Sequence, residues 1–234
     1  MKREELYERT LRLFGEDAMA RLYGAHVIVF GVGGVGSYAV EALARSGVGA
    51  ITVVDADAVA PSNINRQLVA DLSTVGKDKV EVAKARILAV NPECRVTAKK
   101  LLYLPETSGA FDFSSYDYIV DAIDNVSAKL SLVTEAHKAN TPIISAMGTG
   151  NKLCPEMLEI SDISKTSVCP LARAMRTELR KRGIQHLKVV YSKEEPRVKG
   201  AENGERVIAS VPFVPSVAGL LMASEVIKSI AECK

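Results

Sequence analysis

The sequence predicts an α/β fold built on an open, mostly parallel sheet with helices on both faces. Three observations carry that prediction. Short apolar runs alternate with segments of helical periodicity, and the first of those runs ends in a cluster of glycines. The chain of 234 residues is 47% hydrophobic and 25% charged, a balance that suits a buried core. Alternation of strand and helix favours parallel strands joined by right-handed crossovers.

Residues 4–23 read as one or two amphipathic helices broken near Gly15. HVIVF (26–30) is a buried strand, 37–46 has helical spacing, and AITVVD (50–55) is a second strand, so the first fifty-odd residues spell β–α–β. A helix over 77–90 stops at Asn91-Pro92. YDYIVDAID (116–124) gives a further strand, followed by a helix to about residue 140 and a strand over 142–146. Then the character changes: a basic helix spans 169–183, LKVVY (187–191) is a strand, 194–206 is a polar surface loop, and 216–231 is a closing helix. The expected organisation is a single domain. It has a helical arm over 1–24, a Rossmann-like nucleotide-binding core over 25–146, and a substrate-side segment over 147–234 with a basic helical and loop insertion.

Composition narrows the function classes. The stretch nearest to a membrane span, 211–230, is interrupted by Pro212, Pro215, Glu225 and Lys228, and the charged start MKREELYERT lacks the apolar core of a secretory signal. A cytoplasmic protein without a membrane partner is expected. Cys94, Cys154, Cys169 and Cys233 form no C-x-x-C pair, which argues against a disulfide scaffold and against a four-cysteine zinc site, so no zinc is expected. Net charge is only +2, yet 162–206 holds 11 Lys/Arg against 6 Asp/Glu.

Gly31-Val32-Gly33-Gly34-Val35-Gly36 follows a strand and opens a helix. Glycines there let the backbone turn tightly against a phosphate, and the helix end offers unpaired N–H groups. Asp55, at the end of the next strand, is placed to bind ribose hydroxyls. The loop alone does not decide between NAD and ATP. Arg66, Lys79 and Asn63 bear on that choice, because a triphosphate needs cations where a dinucleotide is often served by backbone N–H groups. Asp124, ending another strand, converges on the same crevice and suits Mg2+ beside phosphates.

Taken together, G-x-G-G-x-G, the D-x-D of Asp55 and Asp57, S-N-x-x-R-Q (62–67), V-G-x-x-K (75–79) and D-x-x-D-N (121–125) resemble the ThiF/MoeB/HesA superfamily, which includes the adenylating domains of ubiquitin-activating enzymes. The resemblance implies an ATP-dependent adenylating enzyme. Gly31, Gly33, Gly34 and Gly36 would lie under the α-phosphate, Asp55 would bind the ribose, and Asp57 would support the site from its edge. Asn63, Arg66, Gln67, Lys79 and Asn125 would contact ATP, and Asp124 would hold Mg2+. Arg9 matches an arginine that reaches into a partner subunit's site, which implies a homodimer.

Within the superfamily, the segments 165–183, 187–196 and 213–228 look like the tRNA threonylcarbamoyladenosine dehydratase branch, which implies a tRNA substrate modified beside the anticodon. Arg173, Arg176 and Arg180 fall on one helix face, continued by Lys181 and Arg182, and suit an RNA backbone. The alternatives left open are an activator of a ubiquitin-like sulfur-carrier protein, an NAD-dependent dehydrogenase and a non-catalytic nucleotide-binding module. An accessory protein is also left open. Cys169, ahead of Pro170, is read as a small buried side chain rather than a nucleophile.

Overall fold

A computed structural model of the chain describes residues 3–197 and 208–232. Much of the polar loop expected over 194–206 therefore lies outside the described residues. Seven strands form one sheet: β1 (His26–Phe30), β2 (Ala50–Val54), β3 (Arg95–Lys99), β4 (Tyr118–Asp121), β5 (Ile143–Ala146), β6 (Leu158–Asp162) and β7 (Lys188–Ser192), in the order β3-β2-β1-β4-β5-β7-β6. All neighbours are parallel except β6, which runs antiparallel to β7. The chain winds outward from β1 in one direction and from β4 in the other, so their carboxyl ends flank the point where ligands bind in such sheets. β3 and β6 are absent from the sequence reading. Both lie at sheet edges and are only partly buried, so neither shows the continuous apolar run of the inner strands.

Alternation within the strands places both faces in apolar surroundings. Val27 and Val29 of β1 face one core cluster, and Ile28 and Phe30 face another. The first cluster is covered by α2 (Glu16–Gly24), α3 (Gly36–Arg45), α4 (Lys79–Val90) and α7 (Phe213–Ala231), the second by α5 (Val126–Lys138). A third cluster lies under α6 (Pro170–Lys181), whose Ala172, Met175 and Leu179 are buried at helical spacing. The arm, α1 (Arg3–Phe14), turns into α2 at Gly15 (φ +83°). Tyr7 secures it by donating to the Ala44 carbonyl at 3.2 Å.

α7 begins three residues earlier than expected. Pro215 sits in its first turn, where the missing N–H breaks no helical bond. By length and composition this 19-residue helix is apolar enough to cross a membrane, contrary to the sequence reading. Its apolar residues instead enter the core: Val214, Ala218, Met222, Ala223 and Val226 are buried against α3 and the sheet.

Among the described residues one charged pair lies wholly inside. Lys129 of α5 donates to Asp121 Oδ2 at 2.9 Å and to Ser145 Oγ at 3.1 Å, with both charged side chains 0% exposed, and Ser145 Oγ also donates to Asp121. The network ties β4, α5 and β5 together. Asp121 Oδ1 also accepts the Ile123 N–H at 3.2 Å, which shapes the turn leading to Asp124. Removing one partner leaves a buried uncompensated charge, so Lys129→Met should cost about 3–5 kcal/mol of unfolding free energy. Urea denaturation measures this, and the paired change Asp121→Asn with Lys129→Met should recover part of the loss.

Candidate active site

The strand ends on both sides of the switch point open into a cavity of about 1250 Å3. Its layout follows sheet order. Asp55 follows β2, the glycine turn follows β1, Asp124 follows β4, and Gly148–Lys152 follow β5.

The turn is shaped by steric exclusion. Gly31 has φ +85°, and a Cβ there would meet the Ala122 carbonyl oxygen at 2.7 Å. Gly36 is buried behind the cavity rather than lining it; a Cβ would meet the Gly31 oxygen at 1.8 Å, so this glycine serves the turn and not the ligand surface. Gly33 and Gly34 line the cavity, and their N–H groups and that of Val35 make no hydrogen bond among the described residues. These donors stand at the N-terminal end of α3, where backbone dipoles favour an anion.

Asp55 braces this turn: Oδ2 accepts the Val32 N–H at 2.7 Å and Oδ1 the Asp57 N–H at 2.9 Å. Each oxygen keeps lone-pair capacity toward the cavity. Lys79, 5% exposed, donates from Nζ to Asp57 Oδ2 at 2.8 Å, and its N–H donates to the Asp57 carbonyl at 3.0 Å. Asp57 thus holds the ammonium against the cavity wall. Asn63 Oδ1 accepts the Ala60 N–H at 3.0 Å. Arg66 Nη1 donates to the Ser62 carbonyl at 3.0 Å and Asn65 Oδ1 at 2.9 Å, bonds to neutral groups that leave its charge without a carboxylate partner among the described residues. Gln67 is buried, lines the cavity beside Gly33, and has its Oε1 without a hydrogen-bond partner among the described residues.

Asp124 is exposed in the cavity with no hydrogen bond or ion pair among the described residues. The adjoining helix does not draw on it, because Asn125 caps α5 by accepting the Ala128 N–H at 2.9 Å. That capping bond corrects the expected role of Asn125 in ligand binding: its side-chain oxygen serves the helix, and the residue does not line the cavity. A single free carboxylate facing a phosphate turn matches Mg2+, which takes one or two carboxylates and completes its shell with phosphate and water.

Opposite β2 the wall is apolar, with Leu101, Leu102, Tyr103 and Val126, and burial pushes the Tyr103 phenol up to about 12. The sequence offered no periodic signal for this wall, since 101–104 form an irregular connection.

The basic helix behaves differently from its reading. Arg173 is exposed and lines the cavity rim, and Arg180 is exposed farther along α6. Arg176 is half-buried and donates from Nη1 to the Ile163 carbonyl (3.2 Å), the Thr166 carbonyl (3.0 Å) and Thr166 Oγ1 (2.6 Å). The expectation of three free guanidinium groups on one face is therefore corrected: Arg176 closes the turn before α6. Lys181 and Arg182 pair with Glu178, which reduces the charge they present. Arg9 is exposed on α1 and does not line this chain's cavity. Cys169 is 3% exposed, lines the cavity and precedes α6.

Comparison with known proteins agrees with this geometry. The ThiF family model matches residues 7–234. The chain is 45% identical over 238 residues to the tRNA threonylcarbamoyladenosine dehydratase of Bacillus subtilis, covering 96% of this chain and 94% of that protein. It is 34% identical over 135 residues to the molybdopterin-synthase adenylyltransferase of Escherichia coli, covering 58% of this chain and 54% of that one. The crystal structure of the E. coli tRNA threonylcarbamoyladenosine dehydratase TcdA in complex with ATP superposes with a TM-score of 0.90 at 33% identity, covering 98% of this chain and 95% of that one. With a family model spanning nearly its whole length and a nucleotide turn at the switch point of its sheet, the chain belongs to the ThiF family.

Proposed function

We propose that this chain is an ATP-dependent tRNA threonylcarbamoyladenosine dehydratase, which adenylates the threonyl carboxylate of the modified adenosine and closes it into a ring. The observation that carries the reading is the collection, in one cavity, of a glycine turn with free N–H groups, a ribose-placed carboxylate, two cations and an unpaired acid. The near-full-length similarity to a dehydratase supports the substrate. A sulfur-carrier activator would share the first half-reaction, but its named relative covers little more than half of this chain. A cytoplasmic site of action accords with a tRNA substrate.

Asp55 would hold the ribose, and the N–H groups of Gly33 and Gly34 would seat the α-phosphate. Arg66 would rotate from its neutral acceptors to the phosphates, and Lys79, held by Asp57, would balance charge as pyrophosphate departs. Asp124 would hold Mg2+, which when bound offsets charge on the phosphate oxygens. The substrate carboxylate attacks the α-phosphorus and pyrophosphate leaves. The neighbouring carbamoyl group then attacks the activated carbonyl carbon, and AMP departs carrying one carboxylate oxygen. Ring closure within one molecule gains from high effective concentration, so positioning suffices and no covalent enzyme intermediate is required. The exposure of Arg9 outside its own cavity supports a homodimer in which it reaches the partner's site.

ATP–pyrophosphate exchange tests the reading. Modified tRNA should stimulate it, and stimulation by a carrier protein instead would make the chain a sulfur-carrier activator. Charged hydrogen bonds contribute roughly 1.5–3 kcal/mol, so Arg66→Ala and Lys79→Ala should each slow exchange by about tenfold to a hundredfold. Replacing Arg173 and Arg180 by Ala should weaken tRNA binding and reduce the salt slope by roughly 1 per lost phosphate contact. Arg176→Ala should act mainly by lowering the melting temperature, because its guanidinium holds the 163–166 turn. Cys169→Ala should keep turnover within a few fold; a loss beyond about a hundredfold in a folded variant would reveal a thioester step.

A further inference from the structure

The half of the cavity beyond β5 contains a charge that the mechanism above does not use. Lys152 lines the cavity and is only 4% exposed. Its ammonium donates to the Glu194 main-chain carbonyl, a neutral acceptor, and no carboxylate lies within 4 Å of it among the described residues. The Glu194 carboxylate favours the ammonium from a distance but makes no direct contact with it. That carboxylate accepts the N–H groups of Leu153 (3.0 Å) and Cys154 (2.8 Å) and meets Arg197 Nε at 3.4 Å. Burial opposes its ionisation, but these bonds outweigh it and hold the Glu194 carboxyl below the usual range.

An ammonium has three donors, and burying one without a counter-ion costs several kcal/mol unless something completes it. Burial accordingly lowers the Lys152 pKa, a shift that nearby Cys169 and Glu194 oppose. The walls around it are strained as well. Asn151 and Val168 both line the cavity with φ near +61°, and for a branched residue such as Val168 that backbone is costly. A nine-tenths-buried ammonium in a cavity wall, with one neutral acceptor and no carboxylate in contact among the described residues, has donors left for a ligand.

Position identifies the anion. β5 is two strands from β1, and Lys152, on the connection after β5, lines the same cavity as the glycine turn and Asp124. The nucleotide's phosphates are already provided for by the turn, Arg66 and Lys79. An RNA backbone phosphate stays solvated along the surface, where Arg173 is exposed at the rim. A buried single cation instead fits a compact anion inserted from the rim. We propose that Lys152 is a substrate-binding residue that anchors the carboxylate to be activated, an assignment that rests on the dehydratase reading and adds the residue that recognises the acid.

The test compares the wild type with Lys152→Met and Lys152→Arg in the presence of a non-hydrolysable ATP analogue. The probes are two anticodon-arm oligonucleotides, one carrying threonylcarbamoyladenosine as the free acid and the other its methyl ester. The wild type should bind the acid at least about tenfold more tightly than the ester, as one charged hydrogen bond implies. Lys152→Met should lose that preference while ATP affinity, measured by calorimetry, stays within about twofold, and Lys152→Arg should keep part of it. Retention of the preference in Lys152→Met would overturn the assignment and leave the dehydratase reading standing. A parallel fall in ATP affinity in both variants would also overturn it, placing Lys152 in the nucleotide site or the fold. Wild-type binding to neither oligonucleotide would refute the RNA reading and this assignment with it.

Discussion

The turn between β1 and α3 has no room for one more carbon atom at three places, and most of the molecule is arranged around that constraint. Gly31 abuts the Ala122 carbonyl after β4, Gly36 abuts Gly31 itself, and Gly219 of α7 abuts the Val35 carbonyl, where a Cβ would stand 2.2 Å away. Pro215 closes on Gly34 from the same helix. The turn is therefore clamped between the β4 connection and the closing helix, with Asp55 bracing it from the third side. Donors held this way need little reorganisation when charge develops on a bound phosphate.

Among the described residues three lysines are more than nine-tenths buried, and their partners sort them by role. Lys129 meets a carboxylate and a hydroxyl inside the core, so its charge is fully compensated and its effect is to fix the β4 connection. Lys79 meets the exposed carboxylate of Asp57, a bond that water and a phosphate can compete with. Lys152 meets only a carbonyl. Burial is nearly equal in the three; what separates them is the acceptor, a buried carboxylate for Lys129, an exposed one for Lys79 and a neutral carbonyl for Lys152.

Much of this was legible in the sequence. The inner strands announce themselves as apolar runs, and the glycine turn, Asp55 and Asp124 converge on one cavity as their placement after strand ends implies, joined there by Asn63, Arg66 and Gln67 from the connection after β2 and by Lys79 from the start of α4. The edge strands β3 and β6 were invisible because half-exposed strands carry mixed residues. Arg176 was misread because helical spacing fixes the side of a helix but not what stands opposite it. Asn125 was misread because adjacency to Asp124 hides which of the two side chains caps the helix. Lys129 and Lys152 gave only the faint sign of a lone lysine in an apolar stretch, and Gly219 that of a glycine within an apolar helix.

Because α7 supplies Gly219 and Pro215 to the turn that β1 begins, two segments far apart in the sequence must meet before the phosphate cradle exists. While a ribosome is still adding residues, the emerging core can form β–α–β units, but it lacks the backing that sets the turn. The capacity to seat a phosphate is thus a property of the docked pair of segments and not of the glycine turn alone.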